Sequence, residues 1–204
     1  MADYEYDVFL SYRRANDWPR FVCDHFLPKF KHWLDTTLGR SSSVFFDAQD
    51  IEAGESWPYR LADALAHSRI MVCLWSKEYF SSRWCAAELS HMLARRQSLT
   101  NSLGPPPLIL AIVIHDGDDI DTSLADIQRF PLQKYSNPWI AEGSSVAEVL
   151  SMRIQEFSEH VVHALNRVPD YDPSWPGLAT REFLGVFAER TVQRELPSLG
   201  STAS

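Results

Sequence analysis

Four short, almost uninterrupted apolar runs alternate with stretches of helical period along the chain. The runs are "DVFLSY" (Asp7 to Tyr12), "VFF" (Val44 to Phe46), "IMVCLW" (Ile70 to Trp75) and "LILAIVI" (Leu108 to Ile114). Runs of this kind, without polar alternation, are what strands buried on both faces require. Between them lie helix-length segments at about Asp17 to Leu38, with apolar Phe21, Val22, Phe26, Phe30 and Leu34, then Trp57 to His67, then Ser82 to Leu99. The order βαβαβαβ predicts right-handed crossovers and a doubly wound parallel sheet with helices on both faces. Ligands of such sheets sit outside the carboxyl ends of the strands. Here those ends carry Ser11, Tyr12 and Arg13, then Asp47, then Ser76.

Later segments are less regular. "DGDDID" (Asp116 to Asp121) reads as an acidic loop, "FPLQKY" as a short edge strand and Ser145 to Asn166 as the last long helix. The Pro- and Asp-rich "PDYDPSWPG" marks a boundary. The expected division is a domain over residues 1–168 followed by a linker and C-terminal helical extension over 169–204, with Ala179 to Leu196 loosely helical.

Composition narrows the function classes. A chain of 204 residues with 45% hydrophobic content can bury a full core. A formal charge of −8 argues against a nucleic-acid partner, whose phosphates call for basic faces. Three scattered cysteines lack disulfide or metal spacing, which suits a reducing compartment. The start "MADYEYDVFL" has no basic region followed by an apolar run, and "LILAIVI" is far short of a membrane span. A cytoplasmic protein with no membrane partner is expected.

Several chemistries drop out. The sequence holds no G-x-x-x-x-G-K-[ST], G-x-G-x-x-G, G-x-S-x-G or H-E-x-x-H pattern. Glu156, His160 and His163 share a helical face, but a solvated amphipathic surface accounts for them, and the acidic loop lacks the calcium-binding pattern. No metal is assigned. In "SSRWCAAEL" (Ser81 to Leu89), by contrast, Glu88 follows Trp84 by one helical turn. Cys85, Leu89, Met92 and Leu93 form a separate apolar stripe for the core. The Trp84 and Glu88 face is left for another use, with Glu88 expected to be partly accessible.

Three ordered blocks, "YDVFLSYRR", "VFFDAQDIEAGESW" and "SRIMVCLWSKEYFSSRWCAAEL", resemble the Toll/interleukin-1 receptor (TIR) domain over roughly Tyr6 to Asn166. The resemblance implies a flavodoxin-like parallel sheet. It also implies one of two functions, since receptor and adaptor TIR domains are scaffolds whereas many bacterial and plant ones cleave NAD+ at the nicotinamide–ribose bond. In the enzymatic class the Glu of the W-C-x-x-E-L helix is catalytic, which is Glu88 here. Receptor TIR domains carry an R-D-x-x-P-G loop; Asp47 to Trp57 reads "DAQDIEAGESW" and resembles the prokaryotic branch.

On that resemblance the chain is expected to be an NAD+ glycohydrolase or ADP-ribosyl cyclase, with NAD+ as substrate and no cofactor. Its expected setting is bacterial antiphage immunity, with self-association through TIR–TIR contacts and a separate effector that senses the nucleotide product. The alternatives are a non-catalytic TIR–TIR scaffold or, less well matched, a phosphate-binding receiver. Around Glu88, the candidate substrate-binding residues are Ser11, Tyr12, Arg13, Asp47, Trp57, Ser76 and Trp84. Several have a plainer reading: packing for Trp84, ion pairing for Arg13, turn formation or capping for Asp47 and Ser76, and loop anchoring or contact with a neighbouring subunit for Trp57.

Overall fold

The computed structural model describes residues 3–46, 57–100, 104–115 and 124–173. Five parallel strands form one sheet in the order β2-β1-β3-β4-β5, with β1 at Tyr6–Tyr12, β2 at Val44–Phe45, β3 at Ser68–Trp75, β4 at Ile109–Val113 and β5 at Arg129–Pro131. This is the flavodoxin-like arrangement, and its strand order reverses at β1 and β3. The edge strand β5 ends on Pro131, where a missing N–H costs no ladder bond.

The segment expected as one helix from Asp17 to Leu38 is three pieces: α1 (Trp18–Arg20), a π-helical stretch (Phe21–Phe26) and α2 (Leu27–Leu38). Pro28 explains the last boundary. It has no N–H to give the preceding turn, and it sits in the first turn of α2 where none is needed. Gly39, in the left-handed conformation at φ 67°, closes that helix. The remaining helices are α3 (Trp57–Ala66), α4 (Lys77–Ser81), α5 (Arg83–Ser98) and α6 (Ser145–Leu165). Helix α4 has no counterpart in the hydropathy pattern, because five residues are too few to show a period.

Alternation along the strands divides the core in two. Val8, Leu10 and Tyr12 of β1 join Ile70, Val72 and Leu74 of β3 under α2 and α6. Phe9 joins Met71, Cys73 and Trp75 under α3 and α5. Ser11 shares the parity of Phe9 and pairs across the ladder with Cys73, so it stands on the α5 side. This one-residue parity separates two neighbours that the sequence alone left together at the strand end: Ser11 faces α5, and Tyr12 enters the opposite core.

At the amino edge of the sheet, Asp7 of β1 is buried. Its carboxylate accepts two hydrogen bonds of 2.7 Å from Arg40, one of 3.0 Å from the Ser43 amide, and faces Arg69 at 3.5 Å. Burial alone would raise its pKa, but the Arg40 bonds, the Ser43 amide and the charge of Arg69 outweigh it and hold the carboxyl below its ordinary range. The chain beyond α6 returns to this edge: Tyr4 donates to the Pro169 carbonyl at 3.0 Å, and the Tyr171 ring stacks on His67 at 5.4 Å. Residues 179–196, expected as a helical extension, lie outside the described residues. No helix among the described residues is long and apolar enough to cross a membrane.

Candidate active site around Glu88

Helix α5 is capped by Ser82, whose side chain accepts the Cys85 amide at 3.4 Å, and it runs for 16 residues from Arg83. Its buried face is broader than an apolar stripe. Cys85, Ala87, Leu89 and Met92 are buried, and so are Glu88, His91 and Arg95 at i, i+3 and i+7. Glu88 is 6% exposed, which overturns the expectation of a partly accessible carboxylate. The physical reason is that a hydrogen-bonded partner waits inside: Ser11 of β1 donates to Glu88 Oε2 at 2.5 Å.

That serine belongs to a chain of hydroxyls. Tyr79, wholly buried on α4, lies 2.9 Å from Ser11 Oγ. Burial pushes the Tyr79 phenol well above its ordinary pKa, with Cys73, Cys85 and Glu88 adding to the effect, so it is a protonated donor at any physiological pH. The two thiols beside it are not nucleophiles. Burial raises Cys73 to about 12 and pushes Cys85 up as well, and the charge of Glu88 acts in the same direction on both. Lower on the same helix face, burial followed by the charge of Arg95 presses His91 down to about 4, so it is neutral at pH 7. Arg95 itself donates to the carbonyls of Ser68 at 2.8 Å and Ala66 at 3.0 Å, tying α5 to the junction of α3 and β3.

The other candidates distribute as follows. Tyr12 is buried, with its ring stacked 5.5 Å from Phe46 in the α2 and α6 core, so its aromatic body is structural. Ser76 is 1% exposed and caps α4 by accepting the Tyr79 amide at 3.2 Å, the plainer of its two readings. Arg13 is half-buried and donates to Ser82 Oγ at 3.3 Å, while its Nε is buried with no hydrogen-bond partner among the described residues. Trp84 is half-buried, packed against the α3 and α5 core with Arg83 5.9 Å from its ring. Asp47 and the loop residues 48–56 lie outside the described residues, and so does the side chain of Trp57, the first residue of α3. The structure thus brings Ser11, Arg13, Ser76 and Glu88 together at one carboxyl edge and withdraws Tyr12 from it.

Tyr79 was missed in the sequence, although "SKEYF" carries the signal, a capping serine three residues before the aromatic. A cavity of about 530 Å³ opens at the same edge, lined among others by Asn16, Trp18, Glu78, His115 and Trp139. Asn16 and His115, the two non-glycine residues with positive φ among those described, both line it, and Asn16 donates to Glu78 at 2.5 Å. Glu88 does not line this cavity. Of the metal-like trio, Glu156 pairs with Arg153 and His160 packs edge-on to Phe130.

A family profile for the TIR domain matches residues 8–143. The chain belongs to the TIR-domain family. Among curated relatives, it is 32% identical over 100 residues to "Disease resistance protein RPV1" of Vitis rotundifolia, a match covering 49% of this chain and 6% of that protein. It is 28% identical over 93 residues to "Probable 2' cyclic ADP-D-ribose synthase TcpB" of Brucella melitensis biotype 1, covering 46% of this chain and 34% of that one. The matches therefore span well under two thirds of these relatives. Among solved structures, the TIR domain of the Toll-related receptor TRR-2 from Hydra magnipapillata aligns over 76% of this chain and 98% of that chain, with 16% identity and a TM-score of 0.45.

Proposed function

We propose that this TIR domain cleaves NAD+ at the nicotinamide–ribose bond, with Glu88 as the catalytic carboxylate. The observation that carries the reading is a carboxylate taken out of water at the carboxyl edge of β1 and β3, where the strand order reverses, and held there by a hydroxyl. A hydroxyl donor steadies a carboxylate without neutralising it. Breaking the C1′–N bond of NAD+ sends the bonding electrons to nicotinamide, which leaves neutral and needs no acid, while positive charge builds on the ribose. A fixed carboxylate in a dry site stabilises that charge far better than one in water. Capture of C1′ by water yields ADP-ribose and a proton. Capture by an oxygen or nitrogen within the same ADP-ribose yields a cyclic product and a proton. The likeness to a protein named a probable 2' cyclic ADP-ribose synthase supports the cyclic outcome.

Arg13 supplies a second element. Its buried Nε has no acceptor among the described residues, and a pyrophosphate oxygen is the acceptor that NAD+ brings. NAD+ is substrate here, with no cofactor or metal in the scheme. Self-association through TIR–TIR contacts would complete the pocket, with Asp47 contributed by the loop after β2 and Trp57 by the start of α3. The product would serve as a cytoplasmic signal to a separate effector in immunity. Incubating the purified protein with NAD+ at high concentration and resolving the products by chromatography tests the reading. Free nicotinamide from the wild type and none from Glu88→Gln supports it; equal release from both removes Glu88 from the chemistry.

One observation favours the non-catalytic scaffold. A carboxylate only 6% exposed and hydrogen-bonded to a strand serine is also how a purely structural acid is housed. That reading expects Glu88→Gln to alter thermal stability and TIR–TIR association without any NAD+ turnover in the wild type.

A further inference from the structure

Ser11 has one hydroxyl proton, and the 2.5 Å contact with Glu88 Oε2 commits it to the carboxylate. Either oxygen could donate in the 2.9 Å contact between Ser11 Oγ and the Tyr79 hydroxyl; with the Ser11 proton on Glu88 it is assigned with Tyr79 as donor, a phenol that also hydrogen-bonds the Cys73 thiol. The result is a directional chain, Tyr79 to Ser11 to Glu88, in which each donor polarises the next. All three residues come from different elements, α4, β1 and α5, and all three are buried. Tyr79 has little freedom to leave the chain. Its amide is bonded to the Ser76 side chain, and its ring meets Phe80 edge-on at 5.3 Å.

We propose that Tyr79 and Ser11 are positioning residues for Glu88: a two-hydroxyl relay from the short helix α4 that fixes the orientation of the carboxylate at the carboxyl edge of the sheet. Ser11 is thereby assigned to the carboxylate rather than to the substrate, and Tyr79 acts only through Ser11. The inference deepens the NAD+-cleaving reading and rests on it for its catalytic consequence, whereas the relay itself is a property of the folded chain. A mobile carboxylate samples many orientations of which few suit the developing ribose cation, so loss of the relay should appear in turnover rather than in substrate binding.

The test is a double-mutant cycle on the full chain, with Tyr79→Phe, Ser11→Ala and the double variant assayed for nicotinamide release. Tyr79→Phe should lower kcat about 10-fold and Ser11→Ala about 50-fold, with KM within about 2-fold of wild type. Because Tyr79 acts through Ser11, the double variant should be no slower than Ser11→Ala, and Ser11→Thr should recover most of the rate. Losses that multiply in the double variant, or an unchanged kcat in Tyr79→Phe, would overturn the relay. A parallel readout needs no turnover: the side-chain carboxyl ¹³C resonance of Glu88, assigned by its loss in Glu88→Gln. It should move on Tyr79→Phe in the wild-type background and stay put on Tyr79→Phe in the Ser11→Ala background. Should the wild type release no nicotinamide while the resonance shows this coupling, the NAD+ reading fails and the relay stands. A resonance indifferent to Tyr79 in both backgrounds overturns the relay whatever the activity. If Ser11→Ala does not fold, Ser11→Cys, whose thiol is a weak donor, takes its place in both measurements.

Discussion

Asp7 and Glu88 are both buried carboxylates bonded to or borne by the central part of the sheet, yet the two edges treat them differently. At the amino edge Asp7 meets the guanidinium groups of Arg40 and Arg69, and its charge is cancelled where it stands. At the carboxyl edge Glu88 accepts from the hydroxyl of Ser11, backed by that of Tyr79, so hydroxyl groups orient this carboxylate. Burial fraction alone would class the two together, at 6% each. The donors on each differ: guanidinium groups and a backbone amide hold Asp7, whereas a strand hydroxyl backed by a phenol meets Glu88.

Exchanging carboxylate for amide at each edge should have opposite consequences. Glu88→Gln, nearly isosteric, should reduce nicotinamide release by about 10³-fold in a chromatographic assay, with the circular dichroism spectrum unchanged. An active Glu88→Gln protein would make the two carboxylates equivalent after all. Asp7→Asn should do the opposite. It leaves Arg40 and Arg69 facing an uncharged group, costing about 2 to 3 kcal/mol in urea unfolding, while kcat per folded molecule stays within about 2-fold.

A pH titration sharpens the same contrast. His91, between Glu88 and Arg95 on the buried face of α5, has its pKa lowered from the ordinary 6.5 to about 4. The unfolded chain therefore binds this proton more readily than the folded one. Its contribution is fully present above about pH 7, erodes as pH falls below 6.5 and is exhausted near pH 4, amounting to roughly 3 kcal/mol at about 1.4 kcal/mol per unit. His91→Gln should flatten the fall in denaturation midpoint between pH 6.5 and 4. An identical slope in wild type and variant would show that His91 does not carry it. The smallest effect is expected at Ser76→Ala, which removes the cap of the helix that holds Tyr79. About 1 kcal/mol of stability should be lost, with nicotinamide release falling only a few-fold. A larger loss of activity than in Tyr79→Phe would mean that Ser76 meets the substrate itself.

Much of the fold could be read from hydrophobic spacing. Each of the four apolar runs is a strand, within two residues at either end, and α3, α5 and α6 end within a residue or so of where their patterns do. Those elements are long or uniformly apolar, so the period is unambiguous. The helical run after β1 was less faithful, because a period of apolar residues does not distinguish an α-helix from one interrupted by a π-helical stretch. At the site, Glu88 was legible through the W-C-x-x-E-L block, and Arg13 and Ser11 through their place at a strand end.

By itself, then, the sequence determined which segments are strands, that they are parallel, and which helix carries the candidate carboxylate. These depend on local spacing and on the length of the crossovers, both written along the chain. Three things were decided only in the folded molecule: that Glu88 lies inside, that Ser11 faces it while Tyr12 turns away, and that Tyr79 completes the chain of hydroxyls. The two contacts of Ser11 join residues 68 and 77 positions apart, and their energy exists only once β1, α4 and α5 are packed together. A charged residue on a helix is exposed by default, and only a partner supplied from another element makes its burial favourable.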